Sequence, residues 1–331
     1  LNIWLPAVQT GTGSDVYTLR LADALRSAGH NPTIQFFNRR FEFAPGLLKR
    51  IPSPPGTHII HANSWNAYAF KRAGIPLVVT EHHYINDPAF KPYRTRLQAL
   101  YHALHVLPCV HRSYAQADAV IAVSQHTALA IKQQHGIKAH WIPNWVDIEV
   151  FKPTPIGTRP SGPMRCLFVG NPSRRKGSDL LPRLAHLLPD DIQIHYLGGL
   201  RTQSDSHTTR LVAVPRQPPE LMPSLYQRMD VALVPTRYEA FGYVALEAMA
   251  CGLPVVGFDS TGTAEICRNG ETALLGPVED LDTLTDNLIR LRDDTRLRSQ
   301  LGRNGRTHAE ANFSAAVTLP AYLDAYARVL R

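Results

Sequence analysis

Cysteine is scarce: Cys109, Cys166, Cys251 and Cys267 are scattered along 331 residues, with no C-x-x-C pair. That spacing argues against a disulfide framework or a zinc cluster and fits a reducing cytoplasm. Long hydrophobic runs are missing too. No apolar stretch approaches the ~18–20 residues that cross a bilayer, so no span is expected. The opening LNIWLPAVQT has no basic n-region and reads as a first strand, not a signal peptide. Acid is short in the first half. Residues 1–155 carry 15 Lys/Arg against 8 Asp/Glu, whereas residues 156–331 carry 20 against 19, so nearly all of the net +8 lies early in the chain. Much of it clusters at Arg39-Arg40, Lys49-Arg50, Lys71-Arg72 and Lys91 to Arg96. Such clustering points to an anionic partner, a membrane surface or a phosphate-bearing lipid. No nucleic-acid module accompanies the charge, so no nucleic-acid partner is expected.

The length suits two domains, and 44% hydrophobic residues with 19% charged is a globular composition. Short apolar runs alternate with stretches of helical periodicity, such as 15–28 and 125–135. The runs are IIHAN (59–63), PLVVTEH (76–82), AVIAVS (119–124), HWIPN (140–144), RCLFVGN (165–171), IQIHYLGG (192–199), VALVP (231–235) and LPVVGF (253–258). Strand–helix alternation of this kind implies parallel sheets covered on both faces. KPTPIGTRPSGP (152–163) is rich in proline and glycine and reads as a linker. The expected fold is therefore α/β, with two doubly wound Rossmann-like domains facing each other across a cleft. Ligands in such sheets sit outside the carboxyl ends of the strands.

One segment raises a chemical question. In TRYEAFGYVALEAMACGLPVV (236–256), Glu239 and Glu247 stand eight apart in a stretch otherwise fit for a protein interior. An acid in such surroundings is costly unless it holds something. VALVP reads as a buried strand, TRYEA as the loop at its carboxyl end, and GYVALEAMAC as a helix closed by Gly252. The amides of Phe241, Gly242, Tyr243 and Val244 at the helix start form an anion site, and a carboxylate suits a diol such as ribose.

The longer stretch PTRYEAFGYVALEAMACGLPVVGFDSTGTAEI (235–266) closely resembles the donor-site signature of family 4 retaining glycosyltransferases, the two-domain GT-B type. The chain as a whole is similar to bacterial enzymes that build lipopolysaccharide and exopolysaccharide. The resemblance implies that Glu247 accepts from the nucleotide ribose and that Glu239 contacts the transferred sugar near its reacting carbon. It places the diphosphate-holding basic pair in VGNPSRRKGSDLL (169–181), with Lys176 as the lysine. Arg175, or failing that Arg174, supplies the guanidinium, because Asn171 stands where an arginine is usual. It makes Gly11 and Gly13 of VQTGTGSDVYTLR a glycine loop near the donor or acceptor, and His82 of VVTEHHYIND the strand-end histidine. His83 replaces the usual aspartate there. The resemblance implies that Asn144 of WIPNWVD is a donor contact, although Trp145 replaces a glycine. It makes Ser124 of AVSQHT, and Arg174, weak acceptor or sugar contacts.

The domains implied are 1–155 for the acceptor, 156–313 for the nucleotide sugar, and a terminal helix, 314–331, crossing back onto the first. The activity implied is retaining transfer of a hexose from a nucleoside-diphosphate sugar, UDP before GDP, to a glycolipid or saccharide acceptor. No cofactor and no metal are expected, the cationic side chains taking that role, and Asp280-Leu-Asp282 reads as a helix cap. KPYRTRLQALYHALHVLPCVHRSY (91–114) resembles the family's membrane-contacting helical region, which implies peripheral attachment at the inner face of the cytoplasmic membrane; the other reading of the same residues is a core helix with a basic end. The competing readings are a sugar-nucleotide epimerase or hydrolase of the same architecture, and a non-catalytic carbohydrate-binding relative.

Overall fold

The computed structural model describes residues 1–11, 13–154, 162–197 and 209–331. The chain divides into two compact units, 1–144 with 315–331, and 145–314.

In the first unit the strands are β1 (Asn2–Val8), β2 (Asn31–Phe37), β3 (Ile59–Asn63), β4 (Leu77–Glu81), β5 (Ala119–Ala122) and β6 (His140–Trp141). Among the described residues they form one sheet in the order β2-β1-β3-β4-β5-β6, and every pairing is parallel. The order reverses at β1, the hallmark of a doubly wound sheet. Its helices are α1 (Gly13–Ser27), α2 (Arg96–Tyr101), α3 (Leu107–Gln116) and α4 (Gln125–His135). The C-terminal helix Ala315–Val329 also belongs to this unit, with Tyr322 and Tyr326 fully buried in it. All five residues of β4 are buried, Glu81 included. Strands covered on both faces lose the alternation that marks a half-exposed strand, which is why they read as apolar runs.

The second unit repeats the plan. Strands β7 (Met164–Phe168), β8 (Ile192–Leu197), β9 (Leu211–Val214), β10 (Val231–Val234), β11 (Val255–Phe258) and β12 (Ala273–Gly276) lie in the order β12-β11-β10-β7-β8-β9, again all parallel. Helices α5 (Leu181–Leu187), α6 (Met222–Gln227), α7 (Tyr243–Ala250), α8 (Thr261–Ile266), α9 (Leu281–Asp293) and α10 (Thr295–Asn312) surround it.

The division falls at 144/145, earlier than the expected 155/156, because 145–154 is held by the second unit. The Val146 amide donates to the Phe313 carbonyl at 3.0 Å, and Arg306 donates to the carbonyls of Ile148 at 3.0 Å and Phe151 at 2.6 Å. Much of the expected linker, 155–161, lies outside the described residues. Three strands were not expected: β2, whose Pro32 and partly exposed face hide it, and the short β9 and β12.

Candidate active site

Two segments of the second unit run side by side beyond the carboxyl ends of β7 and β10. One is the turn Arg174–Lys176, and the other is the loop 235–239. Their backbones are tied together: the Arg237 amide donates to the Arg175 carbonyl at 2.9 Å, and the Arg175 guanidinium donates to the Tyr238 carbonyl at 3.0 Å. This brings together Lys176, Arg175 and Glu239. The Lys176 ammonium bonds the Glu239 carboxylate, and the Arg175 guanidinium lies 3.6 Å from the same oxygen. All three side chains are largely buried. Burial pushes the Lys176 pKa down, with the Glu239 charge opposing that shift and Arg175 adding to it. Two cations share one anion, so the cluster carries net positive charge in a partly desolvated place, where added negative charge is favoured. Arg174, the other expected candidate, has an exposed side chain.

Gly177 makes this approach feasible. Its φ is +76°, and a Cβ there would lie 2.0 Å from the Pro235 carbonyl oxygen. On the other side Glu239 is fixed through its backbone. Its amide donates to the Thr261 hydroxyl at 2.9 Å, and its carbonyl accepts from Thr261 at 2.8 Å and from the Gly262 amide at 2.8 Å. A Cβ at Gly262 would sit 2.7 Å from that carbonyl oxygen.

Helix α7 follows directly, entered through Gly242 at φ +100°. Its first-turn amides, those of Tyr243 and Val244 included, have no acceptor within the helix, the condition for an anion site. Phe241 is buried with its ring 5.2 Å from that of Tyr243. Glu247 lies one turn further in, partly buried, and accepts from the Tyr226 hydroxyl at 3.3 Å.

The residue that sequence reasoning missed is Arg237. Its side chain is 2% exposed and bonds Asp179 at 2.6 Å, Glu279 at 2.5 Å and the Arg174 carbonyl. It pins the basic turn to the loop. It stands two residues before Glu239, but its partners are 58 and 42 positions away, so no local pattern exposes it. Asp280 caps α9 by accepting from the Thr283 amide at 2.9 Å, as its place in the sequence suggests. Among the described residues no group of three or more His, Cys, Asp or Glu side chains is placed to hold a metal ion.

In the first unit His82 follows β4. Its Nε2 is enclosed and makes no hydrogen bond among the described residues, and burial pushes its pKa down to about 3. Gly11 has φ +70°, but its amide donates to the Asp15 carboxylate at 2.6 Å, as the Thr10 amide does at 2.9 Å. The Thr10 and Gly11 amides are thus both taken by Asp15. Gly13 is the first residue of α1. Ser124, expected as a weak contact, caps α4: its hydroxyl accepts from the Thr127 amide at 3.1 Å and bonds the Thr127 hydroxyl at 2.9 Å. Asn144 is 1% exposed, and its side-chain oxygen makes no hydrogen bond among the described residues.

Comparison with known proteins identifies the family. The family model for glycosyltransferases group 1 matches residues 155–308, and that for Glycosyltransferase Family 4 matches residues 31–150. The chain belongs to glycosyltransferase family 4. A D-inositol 3-phosphate glycosyltransferase of Paenarthrobacter aurescens is 32% identical over 213 residues, covering 57% of this chain and 52% of that protein. The chain thus spans about half the length of that relative. Among solved structures, the sucrose-phosphate synthase of Thermosynechococcus elongatus superposes with a TM-score of 0.82 at 23% identity, covering 99% of this chain and 100% of the other. The Anabaena protein Alr3699/HepE, in complex with UDP and glucose, gives a TM-score of 0.76 at 18% identity, covering 98% and 99%. At these identities the structural matches establish the fold, which is of GT-B type.

Proposed function

We propose that this chain transfers a hexose from a nucleoside-diphosphate sugar, a UDP-sugar before a GDP-sugar, to a glycolipid or saccharide acceptor, with retention at the anomeric carbon. The observation that carries the reading is the joining of Lys176, Arg175 and Glu239 at the entrance to α7, one turn before Glu247. A nucleoside diphosphate needs cations and helix-terminal amides for its phosphates and an acceptor for its ribose diol, and that segment offers them in order. The leaving diphosphate gains charge as the glycosidic bond breaks. Cations already placed there stabilise that charge as a divalent ion would, so no metal is required. Glu239 is tied to Lys176, which suits holding sugar hydroxyls better than attacking carbon as a nucleophile. That favours a front-face, oxocarbenium-like path over double displacement. His82, with a pKa near 3, is a poor proton acceptor at neutral pH but a serviceable hydrogen-bonding group for a sugar or acceptor hydroxyl.

A bilayer as the acceptor's location is supported by a surface of the first unit. Leu97, Leu100 and Leu104 are 80%, 56% and 72% exposed, and Phe43 and Leu47 are 65% and 60% exposed. The two segments adjoin: the rings of Phe43 and Tyr101 are 5.9 Å apart, and His105 bonds the Glu42 carbonyl at 2.9 Å. Exposed Arg39, Arg40, Lys91 and Arg96 accompany them. Apolar side chains bordered by cations suit the interface of an anionic membrane. No helix among the described residues is long and apolar enough to cross one. We place the chain accordingly as a peripheral protein of the inner face of the cytoplasmic membrane, in cell-envelope polysaccharide synthesis.

The test is transfer from UDP-glucose and its GDP counterpart, 1-13C-labelled in the sugar, to added membrane glycolipid and saccharide acceptors, followed by NMR with a chelator present. An α-linked product supports the reading. A β-linked product contradicts retention, loss of transfer on chelation contradicts metal independence, and inertness toward every nucleoside-diphosphate sugar with these acceptors contradicts the donor class.

A further inference from the structure

Behind His82 lies a buried polar chain that the proposed reaction does not use. Tyr326, on the C-terminal helix, places its hydroxyl 2.6 Å from Nδ1 of His61 on β3. Nε2 of the same imidazole is 2.7 Å from the Thr80 hydroxyl on β4. The Tyr17 hydroxyl, from α1, lies 3.3 Å from Thr80 and 3.4 Å from His61. His82 stands two residues beyond Thr80, at the bend that follows β4. The Tyr17 ring stands 4.3 Å, centroid to centroid, from the His82 ring, edge to face at 63°.

Four elements far apart in sequence thus meet at one imidazole. His61 is 3% exposed and Tyr326 is fully buried, and burial holds the first neutral and the second protonated. Both can therefore keep their hydrogen bonds across the physiological range. Buried polar groups cost stability unless satisfied, and inside the chain they are. His82 is the contrast, its enclosed Nε2 making no hydrogen bond among the described residues. A satisfied network packed against one unsatisfied imidazole is the arrangement that holds a ring still for something else to bind.

We propose that Tyr326 and His61 are positioning residues for His82: the C-terminal helix, through Tyr326, His61 and Tyr17, fixes the ring that contacts sugar or acceptor. This rests on the proposed role of His82 as a hydrogen-bonding group for a sugar or acceptor hydroxyl. Its consequence is that the last helix sets catalytic geometry without touching substrate. A misplacement of about 1 Å can cost up to about 100-fold in rate, and losing one hydroxyl of the chain is expected to cost about tenfold.

The experiment uses the full chain with 13C-histidine and the variants Tyr326→Phe and His61→Gln. The His82 ring resonance is assigned by its loss in His82→Ala. The proposal expects that resonance to shift or broaden in both variants; an unmoved His82 resonance would overturn it. Turnover of UDP-glucose supplies the second arm. Tyr326→Phe should lower kcat about tenfold while leaving UDP affinity unchanged, and should cost nothing further in the His82→Ala background. An equal loss in that background would mean that Tyr326 does not act through His82. A wild type that neither binds UDP nor turns over UDP-glucose would refute the donor reading, and the resonance arm would still decide the positioning.

Discussion

Glu239 is the most informative single residue, because it neutralises part of the charge that a diphosphate would meet. Glu239→Gln leaves Lys176 and Arg175 without their carboxylate. Free UDP is then expected to bind at least as tightly as to the wild type, while turnover of UDP-glucose falls roughly 100-fold or more. Calorimetry with UDP and a turnover assay on the same sample check this; equal losses in both would make Glu239 a structural acid. Arg237 is the opposite case, a buried cation whose work is to hold the backbone. Arg237→Leu should destabilise by roughly 2–3 kcal/mol, less than the 3–5 kcal/mol of a wholly buried pair because Asp179 and Glu279 are half-exposed. Urea unfolding reads that loss. UDP affinity should fall with it, since the basic turn loses its anchor; a stable protein with unchanged affinity would contradict that anchoring role.

At the scale of elements, the helical region 96–116 is not one continuous α-helix. A π-turn at His102–Val106 separates α2 from α3. Pro108 lacks an N–H and crowds the carbonyl four residues back, at Leu104, which widens the ladder there. Leu97, Leu100 and Leu104 remain on the outside. Replacing all three by serine, at even about 1 kcal/mol each, should weaken partitioning to anionic vesicles roughly 100-fold. Arg39-Arg40 and Lys49-Arg50 variants should weaken it further at low salt than at high. Sedimentation with anionic and neutral vesicles decides; binding that ignores both sets of changes would remove the membrane surface. This region was half legible in the sequence. Its basic start and apolar middle were plain, but which leucines stay exposed depends on the π-turn and on the packing of 39–50 beside it. The donor segment was more legible, since strand, loop, Glu239, α7 and Glu247 are all local. What ties Lys176 to Glu239 was not, because Arg237, Thr261 and Gly262 act through partners distant in sequence or through backbone contacts. Gly11 illustrates a further limit: its positive φ follows from the residue type, but Asp15 as its amide's acceptor does not.

For the molecule as a whole, acid is expected to loosen the first unit. Burial pushes His61 and His82 down to about 3 from the ordinary 6.5. Between those values the unfolded chain binds more protons than the folded one. Stability therefore rises with pH across that window, is complete above about 6.5, and is lost as the pH falls toward 3, by at most about 1.4 kcal/mol per pH unit for each histidine. Buried Glu81, whose pKa burial raises, acts in the opposite sense above 4.5. The comparison that isolates His61 is the slope of stability between pH 7 and pH 5 in the wild type and in His61→Gln. A shallower slope in the variant is expected, and identical slopes would contradict the neutral, buried imidazole. The central claim is that the second unit is a nucleotide-sugar site read by Glu247. It is tested most directly by thermal unfolding of the wild type and Glu247→Ala with UDP, GDP, ADP and CMP. A nucleotide present at 100 times its Kd stabilises by about 2.7 kcal/mol. The account predicts that UDP raises the wild-type Tm and that the variant loses the effect. Stabilisation by none of the four, or by UDP equally in both proteins, would contradict it.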